Sequence, residues 1–279
     1  MTATTLSRRR SAVPPGAAER RPEGRNRSRP WRQILALAVF ALVWEVFARL
    51  SPGSGVPTFG ATVAELGSQL GTSGFWAALG TTTGNALIGF ALCLAIGVVA
   101  GLLIGLNDAL VKSTSVVIDV FRSVPAVAFL PLTLLFFGAT RPMVVTIVLI
   151  SAVWPILIQS IYAVQQIDPS LRLVAKAFHL RKREIVRHIY LPSVLPFVFT
   201  GMRISATISL LLAISSEFLG GAPGLGMELN NALVIDRNDR VFALVIISGS
   251  LGMILNSLLK AAQGRALWWH PSERTASHD

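Results

Sequence analysis

Three charged residues fall in stretches otherwise suited to hydrocarbon, Asp119, Arg122 and Arg203, and a fourth, Glu217, stands at the outer end of one. A charge inside a bilayer is costly and marks a solute pathway or demands a partner. Arg203 lies about 12 residues into a segment that begins near Leu191, with Asp119 and Glu217 as candidate acids in the same chain or a second copy. If that helix begins at Pro196, Arg203 is two turns deep and can reach the interface; both readings stand. Arg122 and Asp119 either sit solvated at the inner interface or line the inner mouth of a pathway. Beside them, Pro125 and Pro131 interrupt a backbone ladder, which a membrane helix tolerates where a neighbour or cavity satisfies the freed carbonyls. None of these residues forms a catalytic set. The chain has no GxxxxGK[ST], no HExxH and no nucleophile motif. His179, His188, His270 and His278 lack metal-ligand spacing, and Cys93 is the single cysteine, so neither a metal nor a cofactor is expected. The chemistry on offer is passage of a solute rather than its conversion.

The run Leu171–Pro196, LRLVAKAFHLRKREIVRHIYLPSVLP, offers a second kind of chemistry. Leu171, Val174, Phe178, Ile185 and Ile189 recur at helical spacing. Lys176, Arg181, Lys182, Arg183 and Arg187 keep the run in water. Such a helix can lie in a partner protein's groove or on anionic lipid, and the pattern fits both.

The elements that hold these residues follow from composition. The chain is 52% hydrophobic and 14% charged, with a mean hydropathy of +0.61. Soluble domains carry about 25% charged residues, so this is an integral membrane protein. Its net charge of +11 reads as topology, and no nucleic-acid partner is expected. Residues 1–30 read as a disordered basic tail. Residues 31–50 give a first, uncleaved span, with Glu45 and Arg49 placed to pair at its end. Residues 51–78 are polar and Gly-rich, an external segment. Residues 79–265 hold the remaining spans: Ala86–Leu106, Val116–Phe137, Met143–Val164, Leu191–Ser216 and Val241–Leu259. A loop over 166–190 interrupts them, and 266–279 form a second tail. The expected fold is all-α and polytopic, with six spans of about 20 residues. With both termini inside, 19 of the 25 Lys and Arg residues are cytoplasmic. Gly89, Cys93, Gly97, Gly101 and Gly105 share one helix face and admit a close neighbour, within one subunit or between two. No internal repeat is visible, which speaks against an inverted-repeat transporter working alone, the alternative together with a channel.

Five stretches carry a family resemblance: VPTFGATVAEL, FRSVPAVAFLPLTLLFFG, IDPSLRLVAKAF, RHIYLPSVLPFVFTGMRISA and EFLGGAPGLGMELNNA. In order and spacing, from Val56 to Lys260, the chain resembles the membrane-spanning permease subunits of bacterial ABC importers of the nitrate/sulfonate/taurine class. The resemblance implies a type I importer fold in the bacterial inner membrane. It also implies two cytoplasmic ATPase subunits, an external solute-binding protein, and a second permease, identical or paralogous. That family's loop carries E-A-A, three residues, G, nine residues, I-x-L-P. The closing part is Ile189, Leu191 and Pro192; counting back sets Leu173, Val174 and Ala175 on E-A-A and His179 on the glycine. The resemblance makes Val174, Ala175, Phe178, His179, Ile185, Ile189, Leu191 and Pro192 the ATPase-coupling set. A histidine in place of glycine favours a more continuous helix, and the irregular loop suggests a partner permease with a regular one.

Overall fold

The computed structural model describes residues 30–51 and 53–268. The expected basic tail therefore lies outside the described residues except for Pro30, as does the end of the second tail beyond Trp268. All elements among the described residues are helical. Two compact units are distinguished, the first running to Trp44 and the second from Glu45. Helix α1, Pro30–Leu50, begins in the first unit, where Phe40 meets Trp44 edge to face at 6.1 Å. At its far end Arg49 Nε donates to Glu45 Oε1 at 2.7 Å, the pair expected from their spacing.

The second unit continues with α2, Phe59–Leu70, and α3, Ser73–Gly105. Thr58 caps α2 by accepting from the Ala61 amide at 3.2 Å. Helix α3 is 33 residues long and starts well before Ala86, so the expected boundary at 78/79 falls inside it. Its extra N-terminal turns combine Phe75 and Ala78, which pack against Leu225, Ala232 and Leu244, with the polar Thr82 and Asn85. Next come α4, Asp108–Ser123, a 3-10 turn at Ala126–Phe129, and α5, Leu130–Phe137. The sequence suggested one span from Val116 to Phe137, but α4 and the segment after it are bent by 78°. Pro125 stands extended at the bend. Pro131 breaks nothing, because it sits in the first turn of α5, where its missing N–H has no intrahelical role.

Helix α6, Arg141–Gln165, is the central packing element. Gly89, Cys93, Gly97, Gly101 and Gly105 are all buried on α3 and face α6. A Cβ at Gly101 would lie 2.6 Å from the Leu157 carbonyl oxygen, and one at Gly89 2.5 Å from Val148 Cγ1. Backbone-close packing inside one subunit is what these small residues make possible. Helices α7, Pro169–Ala177, and α8, Lys182–Ile185, follow. Through a π-helical turn at Val186–Tyr190, α8 runs on into α9, Leu191–Gly220. The fifth expected span thus begins at Lys182 rather than Leu191. The chain ends with α10, Leu225–Val234, and α11, Asn238–Ala266.

Four of these helical stretches are long and apolar enough to cross a membrane: α3, α6, α8–α9 and α11. The bent pair makes a fifth, against six expected; the difference is α1, a helix of 21 residues. The main core joins α3, α6 and α9 through Ala86, Val144, Ile147, Val148, Ile156 and Ala213. Pro155 loosens α6 in this core, and Ser205 of α9 donates to the Ala152 carbonyl at 2.5 Å.

Candidate functional sites: a surface loop and two buried charges

The α6–α9 loop is built from local signals. Asp168 accepts from the Ser170 amide at 2.8 Å and starts α7. That N–H holds the Asp168 carboxyl below its ordinary range, since it stabilises the ionised form. Helix α7 then ends where continuity was expected. His179 takes φ +51°, the left-handed region, and the Leu180 amide donates to the Ala175 carbonyl at 3.0 Å. This is a Schellman stop with histidine in the usual glycine position. Leu180 packs against the cluster that contains Ala175, supplying the apolar contact that accompanies such a stop. The helix break is therefore kept although the glycine is not. Glu184 accepts from the Arg181 amide at 2.8 Å and opens α8.

Burial divides the expected coupling residues into two groups. Ala175 is 3% exposed and packs with Ile189, Ile167, Ala163, Val194 and Val198. Ile185 lies partly buried against the same cluster. These residues seat the loop on α6 and α9 and do not face outward. Phe178 is 74% and Leu173 67% exposed, and Leu191 is exposed at the start of α9 beside Pro192. Val174 lies within α7. The single stripe expected from the sequence is in fact two faces, because the stop at His179 turns the chain between Phe178 and Ile185.

The pathway candidates do not converge on one place. Asp119 and Arg122 pair with each other at 2.9 Å and line a cavity of about 140 Å³ between α4 and α6. Ser115, Tyr162 and Gln165 share that cavity. Arg203 meets neither expected acid. Its Nη2 donates to Gln263 Oε1 on α11, and its buried Nε finds no partner among the described residues.

Glu217 is fully buried and is claimed by groups from two other segments. Oε2 accepts from the Thr82 hydroxyl at 2.6 Å and the Gly226 amide at 3.3 Å; Oε1 accepts from Asn85 Nδ2 at 3.0 Å. Thr82 in turn accepts from the Leu225 amide at 2.8 Å. Arg141 Nε donates to Asn85 Oδ1 at 3.0 Å. That bond orients the Asn85 amide so that its NH₂ faces Glu217. The direction of every bond in the chain thus makes Glu217 an acceptor through both oxygens, and the Arg141 charge stands one amide away. The cluster ties the Gly220–Gly226 turn to α3, and a side chain at Gly224 would collide with the Glu217 carboxylate. Thr82, Asn85 and Arg141 were not anticipated; Thr82 and Asn85, three apart in the Thr- and Gly-rich stretch just before the apolar run from Ala86, were the available hint.

Against known proteins, residues 94–267 match the model of the binding-protein-dependent transport system inner membrane component family. The chain belongs to that family. It is a multi-pass membrane transport component, which sets aside the reading as a stand-alone transporter or channel. It is 30% identical to a nitrate import permease protein of Leptolyngbya laminosa, over 62% of each chain. It is 31% identical to a bicarbonate transport system permease protein of Synechococcus elongatus, over 65% of this chain and 66% of that one. A putative aliphatic sulfonates transport permease protein of Bacillus subtilis is 26% identical over 91% of this chain and 93% of its own. In fold, the chain matches a chain of the inward-facing MetNI methionine ABC transporter, with a TM-score of 0.55 at 21% identity. That match covers 69% of this chain and 93% of the other, and gives the type I importer architecture.

Proposed function

We propose that this chain is the permease of an ATP-driven importer for a small anion. The observation that carries the reading is the α6–α9 loop: a capped helix, seated from below by Ala175 and Ile189, that presents Phe178 and Leu173 outward. Exposed apolar anchors on a basic helix suit a groove in a cytoplasmic ATPase. The bias of Lys and Arg supports cytoplasmic termini and a cytoplasmic loop. The anionic solute is supported by relatives named for nitrate, bicarbonate and aliphatic sulfonates. An external binding protein delivers the solute, and ATP-driven closure of the ATPases moves α7 and α8 and switches the pathway.

Because His179 adopts the conformation a glycine would take, the loop needs no regular partner, and two copies of this chain suffice for the dimer. The test is co-purification of a P-loop ATPase with the permease. Phe178→Asp abolishes it and leaves membrane insertion intact, since a charge buried unpaired in the interface is costly. Wild-type ATPase binding and uptake by Phe178→Asp would refute the coupling role.

A further inference from the structure

Several cations in or beside the spans have an acid within reach. Arg122 pairs with Asp119, Arg237 with Glu65 and Asp239, and Arg240 with Glu228. Arg141 is linked to Glu217 through Asn85. Arg203 is different. It forms no ion pair among the described residues; it donates to the neutral Gln263, and its Nε is buried without a partner among the described residues. A guanidinium stays charged and has five donors in a planar fork, so most of its hydrogen-bonding capacity is unspent here. The side chain is not sealed in the core but only partly buried. Beside it on α9 lies an open face with Thr200, Ile204, Thr207 and Leu211, while the opposite face packs through Ser205, Ala206, Ser209 and Ala213. The two threonine hydroxyls satisfy themselves on the Pro196 and Arg203 carbonyls, so they lend the face polarity without competing for the guanidinium.

We propose that Arg203 is the anion-selecting residue of the translocation pathway, with Gln263 positioning its guanidinium. This rests on the reading of the chain as an anion permease. Nitrate, bicarbonate and an alkanesulfonate share one feature: two or three oxygens on a central atom that match the guanidinium fork in paired hydrogen bonds. A fixed positive charge with spare donors admits such ions and repels cations of the same size.

The test uses the complete transporter, with its ATPase and binding protein, reconstituted in proteoliposomes and assayed with nitrate, bicarbonate and ethanesulfonate. In a Cys93→Ser background, Arg203→Cys is treated with cationic, neutral and anionic methanethiosulfonate reagents of similar size. Arg203→Cys is expected to assemble with an unchanged melting temperature and to lose uptake by about tenfold or more. The cationic adduct restores uptake; the neutral and anionic adducts do not. No reaction at the introduced cysteine, or recovery that ignores adduct charge, overturns the proposal. If Arg203→Cys fails to assemble, Arg203→Gln and Arg203→Lys decide the matter. Assembly of both with uptake only in the lysine form supports the role. Equal uptake in the two, or failure of the glutamine form to assemble, overturns it in favour of a structural charge. If the wild-type complex carries none of the three anions, the functional reading fails and this inference with it. If the wild type carries one and charge at 203 is immaterial, this inference alone fails.

Discussion

His179 holds a backbone conformation that costs a residue with a Cβ about 1 kcal/mol. His179→Gly is therefore expected to stabilise the loop by about that amount and keep uptake, whereas His179→Val, β-branched at φ +51°, weakens ATPase binding. Thermal unfolding and co-purification separate the two. The Glu217 cluster permits a sharper test, because its bonds have direction. Glu217→Gln places an NH₂ against a donor and leaves buried groups unsatisfied, a loss of about 1–3 kcal/mol. Adding Asn85→Asp reverses the pair: the new glutamine donates, the new aspartate accepts, and Arg141 gains a direct ion pair. The double variant is expected to recover most of the melting temperature lost by Glu217→Gln. Recovery no better than the sum of the two single changes would show that the Asn85–Glu217 bond is not the coupling element.

Helix α7 stands on a cap whose strength depends on protonation. The Ser170 amide lowers the Asp168 pKa in the folded state. Its contribution is thus fully present above the ordinary carboxylate pKa and is lost as pH falls through the lower folded value. Hydrogen exchange at the Ser170 and Leu171 amides, corrected for intrinsic rate, should accelerate in that acid window and not between neutral and mildly alkaline pH. Asp168→Asn keeps a capping oxygen and should flatten the profile. The α3–α6 contact is governed by space rather than charge. A Gly101→Val side chain meets the Leu157 backbone, which cannot turn away as a side-chain tip can. The cost is about 3 kcal/mol, read as loss of a monodisperse detergent-solubilised complex.

At the scale of the molecule, the two ends of the bundle differ in chemistry. One carries the basic loop over 166–190, and the other the ion pairs of Arg237 with Glu65 and of Arg240 with Glu228. The charge bias assigns the first to the cytoplasm. In a Cys93→Ser background, an impermeant maleimide should label Ser170→Cys only from inside and Thr72→Cys only from outside. The reverse pattern would invert the topology and remove α7 from any ATPase. The dimer is expected to contain two copies of this chain, measured by native mass spectrometry of the purified transporter.

Hydropathy and helical periodicity alone indicated that the chain is a helical membrane protein and where most spans lie; the amphipathic break expected over 166–190 is cut short at Lys182, where the fifth span starts. Those properties are local: a turn repeats every 3.6 residues, and a span is a matter of length. The same patterns could not say what each apolar face touches, because lipid is as apolar as leucine and the helix period is blind to the choice. Packing therefore decided that the glycine face of α3 meets α6, and that Ile189 turns inward while Phe178 stays out. Glu217 and Thr82, 135 residues apart, became partners only when α9 crossed α3. His179 shows the same division within a single loop. The sequence says that glycine is missing, but the contact of Leu180 with the core around Ala175 holds the turn open without it.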